Sequence, residues 1–470
     1  MPTSYDRLLY PTDPQDFACP AVFGALAALT GQTPPPRERY RALEIGCGDG
    51  VHLMAMALDA PESAFFGFDL SSTAIEAAGR LAAAARLDNV GFACRDILDH
   101  GIEAGAYDYV VAHGVYAWTP PEVRRATLDL IAHALTADGL AVVSFNVAPG
   151  CALRAALREI MRRAADGVDE PAQRIEAARA ALGDRIARWD AADPMAAALA
   201  AEARTLLDKD PAILFHDDLA EIWAPVSLGD FAAAADAAGL AVVGDCDVSA
   251  LRHLDAASDW LAAEQARDEI ALTRFRRALL RRADGARPPR LAPEHLRGLC
   301  ACAELTVERA PVGVVLRTPG GGRIETQDRV QGTFLIELAQ SFPAGRPLDD
   351  LAAAPDARFD VLMQLVGAGV ATLRARPAVF TLTPPGRPRV SALARAQLAA
   401  GRARIASLRG GAVEIDEAPM RAFLRLLDGT RDRAALAEAM ARETGGRAAA
   451  LAPAVAAALA DAARMGLIHA

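Results

Sequence analysis

Short hydrophobic runs alternate with helical stretches over residues 41–147. Buried strands are predicted at 41–46, 64–69, 90–95, 107–113 and 140–147. Helices are predicted between them, at about 50–58, 72–86 and 121–135. Strands and helices that alternate at this spacing indicate an α/β fold with a parallel, doubly wound sheet. Two further predicted strands, at 240–243 and 274–282, complete a Rossmann-like sheet of seven strands.

The pattern divides the chain into five parts. Residues 1–150 carry the core of the sheet, residues 151–210 are an Ala/Arg-rich helical insertion, and residues 211–290 complete the sheet. Residues 291–400 and 401–470 are predicted to form two small α+β modules that resemble winged helices, because each ends with a helix that runs into a short strand. A hairpin is predicted around Gly320 in the first of these modules.

Composition narrows the class of protein. With 470 residues, 52% hydrophobic and 23% charged, the chain is expected to be globular. Its formal charge of −10 makes nucleic acid an unlikely main partner, since phosphate binding needs a basic surface. We find no signal-peptide pattern and no long apolar run, so we expect a cytoplasmic protein without a membrane span. The seven scattered cysteines fit reduced thiols and predict no metal site.

Lysine is nearly absent from the chain. Of 50 basic residues only Lys209 is a lysine, and a coding bias toward GC-rich codons is a sufficient explanation. Its neighbours Asp208 and Asp210 are expected to keep it charged. An arginine-dense stretch in the last module is expected to be a solvated face; it holds Arg395, Arg402, Arg404 and Arg409.

A glycine-rich motif follows the first predicted strand. It has the form Glu44-x-Gly46-Cys47-Gly48-x-Gly50, and it opens a helix whose free N–H groups point at the loop. A dinucleotide-binding fingerprint would place Gly or Ala at position 51, where this chain has Val51. The motif instead resembles motif I of class I S-adenosylmethionine (SAM)-dependent methyltransferases, in which this loop holds the amino-acid end of SAM.

Carboxylates follow the next two strands. Asp69 ends the second strand and is able to accept both ribose hydroxyl hydrogens, while the family places an acid such as Asp96 near the adenine amino group. Their neighbours Leu70 and Ile97 are expected to line the same cofactor site. Each acid alone is more often a helix cap or a solvated loop residue, but together, in order, they predict SAM binding.

The segment after the fourth strand is the candidate acceptor site. Tyr116 and Trp118 are able to face a sulfonium or an alkylammonium through their rings, although Trp118 could equally be packing. His113, a candidate for both the cofactor and the catalytic site, is either a general base or a hydrogen-bonded structural histidine. Tyr5 and Tyr10 could fold over the cofactor as a lid or pack on the surface.

Four segments together resemble a narrower family. They are the Tyr-Asp-x-x-x-Tyr-Pro opening, the glycine motif, residues 113–120 and residues 144–150, with further similarity at 215–219 and 274–280. The sequence is similar to bacterial methyltransferases that carry a methyltransferase regulatory domain, among them rickettsial protein-lysine methyltransferases. The resemblance covers about residues 1–285 and implies direct SN2 transfer of a methyl group from SAM to a lysine ε-amine, with Asn146 and Tyr116 orienting the amine. It departs from the family at Phe145, where relatives tend to have tyrosine.

Three functions remain open at this point. The first is a protein-lysine N-methyltransferase with a lysine-bearing protein substrate. The second is a methyltransferase for a small molecule or a peptide natural product, with the C-terminal modules serving recognition or homodimer formation. The third is a non-catalytic, SAM-sensing winged-helix regulator, which the intact glycine motif and the acidic charge disfavour.

Overall fold

A seven-stranded sheet lies at the centre of the computed structural model, which describes residues 4–99, 101–248, 259–308, 312–351 and 355–470. Its strands are β1 (Arg41–Ile45), β2 (Ala64–Asp69), β3 (Val90–Cys94), β4 (Tyr107–Ala112), β5 (Leu135–Asn146), β6 (Leu240–Asp245) and β7 (Phe275–Arg282). They are ordered β3-β2-β1-β4-β5-β7-β6, and only β7 runs antiparallel to its neighbours. The predicted doubly wound sheet is confirmed.

Helices cover both faces of the sheet because alternate strand residues point to opposite sides. Tyr109, Val111 and Val142 pack on one face against the wholly buried helix α2 (Pro20–Leu29). Val110 and Val143 pack on the other face against the helices α5 (Pro121–Ala134) and α10 (Leu228–Ala237). The helices of this part are α1 (Ser4–Arg7), α2 (Pro20–Leu29), α3 (Val51–Asp59), α4 (Ser72–Ala85), α5 (Pro121–Ala134), α10 (Leu228–Ala237) and α11 (Trp260–Ala271).

The insertion between β5 and β6 is helical, as expected. It contains α6 (Ala152–Ala164), α7 (Pro171–Arg188), α8 (Pro194–Leu207) and the single turn α9 (Pro211–Ile213). A π-helical turn over Leu214–Asp218 follows. Leu157, Met161 and Leu182 form a small core of their own with Leu206 and Leu214. This core fixes the π-helical turn, which returns the chain to the edge of the sheet where β4 and β5 end.

Two small α+β units follow the sheet. The first contains β8 (Cys300–Ala303), β9 (Thr306–Glu308), β10 (Val314–Arg317), β11 (Arg323–Thr326), α12 (Arg329–Ser341), β12 (Arg346–Pro347), α13 (Pro355–Gly367) and β13 (Ala371–Arg374). The predicted hairpin is present as β10 and β11. The second contains α14 (Ala392–Ala399), β14 (Arg404–Ser407), β15 (Gly411–Glu414), α15 (Ala418–Leu426), α16 (Arg433–Thr444) and α17 (Ala448–Arg464).

The last unit packs directly against the sheet domain. Leu393 and Ala396 of α14 share a buried cluster with Val51, Met54 and Leu81 of the sheet domain. Within the described ranges no single helix is long and apolar enough to cross a membrane. The pair α16 and α17 reaches the required length and composition only together, across a bend of 111°.

Three of the four arginines expected on a solvated face form ion pairs, and of these three Arg404 stays half exposed. Arg402 pairs with Asp49, Arg404 with Asp13, and Arg409 with Glu304. Each partner lies far away in the sequence, so the charges that neutralise these arginines were not visible in the local pattern.

Candidate cofactor and acceptor site

The glycine-rich loop joins β1 to α3 and is held against the end of β2. The amides of Gly46 and Cys47 donate to the carbonyl oxygen of Phe68 at 2.9 and 3.1 Å. Gly48 has φ +54°, a left-handed conformation that favours glycine, and a Cβ there would lie 2.8 Å from the methyl carbon of Thr12. The loop therefore needs glycine for its own path and for the close approach of the N-terminal segment.

Asp69 is fixed between two loops. Its Oδ2 atom accepts from the Gly48 amide at 2.9 Å, and its Oδ1 atom accepts from the Ser71 amide at 2.9 Å. Burial raises the pKa of this carboxyl despite the two bonds. Each oxygen keeps a free lone pair, so the side chain retains the capacity to accept hydroxyl hydrogens from a ligand.

Two more acids lie at the same loop. Glu44 is buried, and its Oε2 atom has no hydrogen-bond partner within the described part of the chain. Burial, with the charges of Asp69 and Asp49, holds the pKa of Glu44 well above its usual value. Three neighbouring acids around one backbone loop favour a cationic ligand, because a positive charge would relieve their mutual repulsion.

The ends of β2 and β3 present the remaining candidate cofactor residues. The side chain of Leu70 is 57% exposed, which is unusual for leucine and leaves an apolar surface free beside Asp69. Asp96 accepts from the Leu98 amide at 3.0 Å, and Ile97 packs at the edge of the sheet core. Cys47 is buried within the loop, where burial raises the pKa of its thiol.

His113 lies at the end of β4, beside β5 and β7. Its Nδ1 atom is 2.8 Å from the hydroxyl of Ser144, which also accepts from the Gly114 amide. Its ring meets Phe17 and Phe275 edge-on, at 5.2 and 6.1 Å between centroids. Burial, aided by the charge of Arg277, lowers the pKa of His113 to about 4, so the imidazole is neutral near pH 7.

Tyr116 is buried in the sheet core. Its ring is edge-on to Phe231 at 5.1 Å and to Phe145 at 6.2 Å, and these two phenylalanine rings stack on each other. The Tyr116 ring is therefore packed against β5 and α10 and is 5% exposed, which leaves it little surface for an amine.

Trp118 and Asn146 are brought together by Trp223. The indole N–H of Trp223 donates to Asn146 Oδ1 at 3.1 Å, and the two tryptophan rings are 6.2 Å apart. The buried Arg158 places its guanidinium carbon 4.6 Å from the centre of the Trp223 ring. The half-buried tryptophans and Asn146 form one polar and aromatic corner at the end of β5, which we call the tryptophan corner.

The N-terminal segment folds against the same edge. Tyr5 stacks on His216 at 4.3 Å, and Tyr10 meets the same ring edge-on at 5.8 Å. His216 donates from Nε2 to the carbonyl oxygen of Leu8 at 2.6 Å, and Asp6 accepts from the hydroxyl of Ser71 at 2.7 Å. Burial raises the pKa of Tyr5 to about 12. The segment is thus tied to the π-helical turn on one side and to the start of α4 on the other.

Lys209 is held by acids other than its sequence neighbours. Its ammonium is 2.6 Å from Asp218 and 3.3 Å from Asp217, and its side chain is only 17% exposed. The prediction that Asp208 and Asp210 are the acids that keep Lys209 charged is therefore wrong. Asp210 instead caps the next helical turn. The charge of Lys209 stabilises the turn that carries His216.

Sequence reasoning missed several residues of this site. Thr12 and Ser144 act through hydroxyl contacts that carry no pattern, and Trp223 stands in an irregular segment before α10. Asp49 lies between two glycines of the glycine motif, and this position could have indicated a structural role for its carboxylate. Its partner Arg402 lies more than 350 positions away.

The residues present fit SAM as a ligand. A SAM molecule brings a sulfonium and an ammonium, and the loop offers the unpartnered oxygen of Glu44 beside Asp69 and Asp49. The exposed Leu70 offers an apolar surface for a base. No bulky side chain occupies the loop, since its glycines leave the backbone bare.

Three family models match the chain in order. A methyltransferase domain matches residues 42–139, a predicted methyltransferase regulatory domain matches residues 210–282, and the C-terminal winged helix domain of PKMT matches residues 386–467. The last match confirms the prediction of a winged-helix domain in the C-terminal part of the chain.

Relatives share this arrangement. Two uncharacterized proteins of Rickettsia prowazekii, RP028 and RP789, are 37% identical over 158 residues and 30% identical over 287 residues. These matches cover 34% and 59% of this chain but only 63% and 52% of the relatives. The chain thus spans less than two thirds of the curated relatives it matches.

A solved structure matches nearly the whole chain. PKMT2 from Rickettsia typhi, also solved in complex with AdoHcy, has a TM-score of 0.83 and 22% identity. The match covers 98% of this chain and 100% of PKMT2, and at this identity it shows a shared fold. The chain therefore combines, in this order, regions that match a methyltransferase domain, a methyltransferase regulatory domain and a PKMT-type C-terminal winged-helix domain.

Proposed function

We propose that this chain is a SAM-dependent methyltransferase that transfers a methyl group to a lysine ε-amine of a protein. The observation that carries the proposal is the glycine loop with its buried acids, where Glu44 has an oxygen without a partner within the described part of the chain. The PKMT-type winged-helix domain supports a protein lysine as the acceptor.

The acidic loop is suited to hold the cofactor. SAM supplies an electrophilic methyl group, so the chain has to position two reactants and exclude water. Asp69 is held by the amides of Gly48 and Ser71, and it is therefore preorganised to receive hydroxyl groups. A cationic ligand at this loop would favour the ionised form of Glu44, whose pKa is raised by burial and by the charges of Asp69 and Asp49.

The tryptophan corner is suited to receive the acceptor. Asn146 Oδ1 has one lone pair engaged by Trp223 and a second one free to accept an N–H of the amine. Such a bond turns the nitrogen lone pair of the amine away from the amide. The charged Arg158 beside the rings disfavours an ammonium there, so it lowers the pKa of an entering lysine toward the neutral, nucleophilic form.

His113 is better suited to orientation than to proton transfer. A base with a pKa of about 4 removes a proton from a lysine ammonium, usual pKa about 10.4, only at a large cost. Its bond with Ser144 fixes the imidazole between β4 and β5. We therefore assign the loss of the lysine proton to solvent before the amine reaches the corner.

The test is transfer of labelled methyl from SAM into total protein, followed by size separation and mass spectrometry. We expect label in protein bands, as methylated lysine, and we expect none when the acceptor lysines are acetylated beforehand. The Gly48→Val variant is the cofactor-deficient control. Label confined to the small-molecule fraction would reject a protein acceptor, and no label in any fraction would reject methyl transfer.

In the same assay, Trp223→Phe keeps an aromatic ring but removes the N–H that binds Asn146. We expect it to raise the KM for the acceptor while leaving SAM affinity within twofold, about 0.4 kcal/mol. An unchanged KM for the acceptor would place the acceptor outside the tryptophan corner.

A further inference from the structure

We propose that the winged-helix domain is a working part of the cofactor site, with Arg402 as a positioning residue that acts through Asp49 on the glycine loop. The proposal rests on the assignment of that loop to SAM. It adds a role for the C-terminal domain, which the domain matches leave without one.

The contact is direct and crosses the domain boundary. Arg402 Nη2 lies 2.8 Å from Asp49 Oδ2, and the Asp49 side chain is only 7% exposed. The other oxygen of Asp49 accepts from the hydroxyl of Thr12. Asp49 lies between Gly48 and Gly50, both at positive φ, so the side chain is attached to the most bent part of the loop.

Arg402 is itself held in place by the winged-helix domain. It follows α14, and its amide donates to the carbonyl oxygen of Gln397 at 3.0 Å. Two residues later, Arg404 Nε donates to Asp13 Oδ2 at 2.9 Å, and Asp13 directly follows Thr12 in the chain. The two arginines therefore fix both the loop and the segment that lies over it.

Within the described ranges, the ion pair that Asp49 forms is the one with Arg402. Asp49 stands near Glu44 and Asp69, and like charges in a buried setting repel one another. A buried acid that loses its cationic partner is strongly destabilised where it lies. Without Arg402, Asp49 would turn toward water and draw the glycine loop away from the position in which the Gly48 amide holds Asp69.

Thermodynamic linkage makes this coupling reciprocal. If the docked winged helix favours SAM binding, SAM binding must favour docking by the same factor. A partner that displaces the winged-helix domain would then release the cofactor, and SAM would oppose that partner. Hydrogen exchange at α14 and β14 should slow when S-adenosylhomocysteine is added to the full chain.

The decisive variant is Arg402→Ala in the full chain, with Arg409→Ala as the matched control. Arg409 is similarly exposed and also forms a long-range ion pair, but its partner is Glu304, which follows β8 in the first C-terminal unit. We expect Arg402→Ala to weaken SAM and S-adenosylhomocysteine binding about tenfold by calorimetry. We expect Arg409→Ala to leave both affinities unchanged, and Arg402→Lys to restore part of the loss.

A double-mutant cycle separates positioning from general destabilisation. Asp49→Asn should weaken binding similarly, and adding Arg402→Ala to it should cost little more, because the two residues act as one unit. Additive losses, or equal losses in Arg402→Ala and Arg409→Ala, would overturn the proposal. Binding by calorimetry needs no acceptor, so a wild-type chain that binds SAM without transferring methyl would refute the proposed function and leave this inference standing.

Discussion

Replacing Gly48 by alanine tests the placement of the cofactor loop. Gly48 has φ +54°, and a Cβ there would lie 2.8 Å from Thr12 Cγ2. The first effect is conformational, since an L side chain in the left-handed region costs about 1–2 kcal/mol. The second is steric, because carbon atoms in favourable contact stay about 3.5–4.0 Å apart.

Both effects act against the ligand-binding shape of the loop. In the free protein the altered loop can relax to a negative φ, and SAM must then restore the left-handed conformation. A cost of about 1.4 kcal/mol weakens binding about tenfold, and the clash adds to it. Thr12 cannot retreat freely, because its hydroxyl is bonded to Asp49.

The assay is calorimetric titration with SAM of four proteins. They are wild type, Gly48→Ala, Gly48→Ala with Thr12→Ser, and Gly183→Ala, whose glycine is an exposed helical residue with open space around it. Thr12→Ser removes the clashing methyl and keeps the hydroxyl, so the double variant should recover the steric part of the loss. If Gly48→Ala binds SAM as tightly as wild type, the cofactor does not lie on this loop.

Three further predictions concern charge. His113→Asn should flatten the pH dependence of the unfolding free energy. In wild type the pKa of His113 is about 4 in the folded state and about 6.5 in the unfolded state, so up to about 3 kcal/mol of stability is present above pH 6.5 and is lost as the pH falls toward 4. Glu44→Gln should stabilise the ligand-free protein at pH values above the usual pKa of a carboxyl group. The raised pKa of Glu44 in the folded state makes wild type less stable as the pH rises, and denaturant titrations at pH 4 and 8 would show the difference between the two proteins. Lys209→Met should cost about 3 kcal/mol in unfolding free energy, and adding Asp218→Asn should recover part of it; equal stability of all three proteins would contradict the buried pair.

The position of the glycine-rich loop could be predicted because its sequence signal is local. Glu44 and the glycines lie within seven positions, and the loop follows a strand whose apolar run is unmistakable. The position of Asp69 beside this loop could be predicted because the carboxyl ends of parallel strands meet at one edge of a sheet, whatever their side chains are. These features depend on backbone geometry, which short sequence patterns encode well.

The environments of the candidate acceptor residues were harder to predict, because tertiary packing determines them. Tyr116 and Trp118 are two positions apart in one short turn, yet one ring enters the core edge-on to the stacked rings of Phe145 and Phe231 while the other faces Trp223. Which ring is buried depends on α10, more than a hundred residues later. The same holds for Arg402, whose charge reads as solvated until Asp49 is brought to it by the tertiary fold.

The buried position of Lys209 has a practical consequence at the bench. Acylating esters and other amine-directed reagents need an accessible, neutral ε-amine, and the lysine side chain of this protein is enclosed between two carboxylates. Pull-down, crosslinking and fluorescent tagging through lysine will therefore mark a polypeptide mixed with this protein while sparing the protein's own side chains. Lysine-directed labelling can thus report on what the protein binds without modifying Lys209 itself.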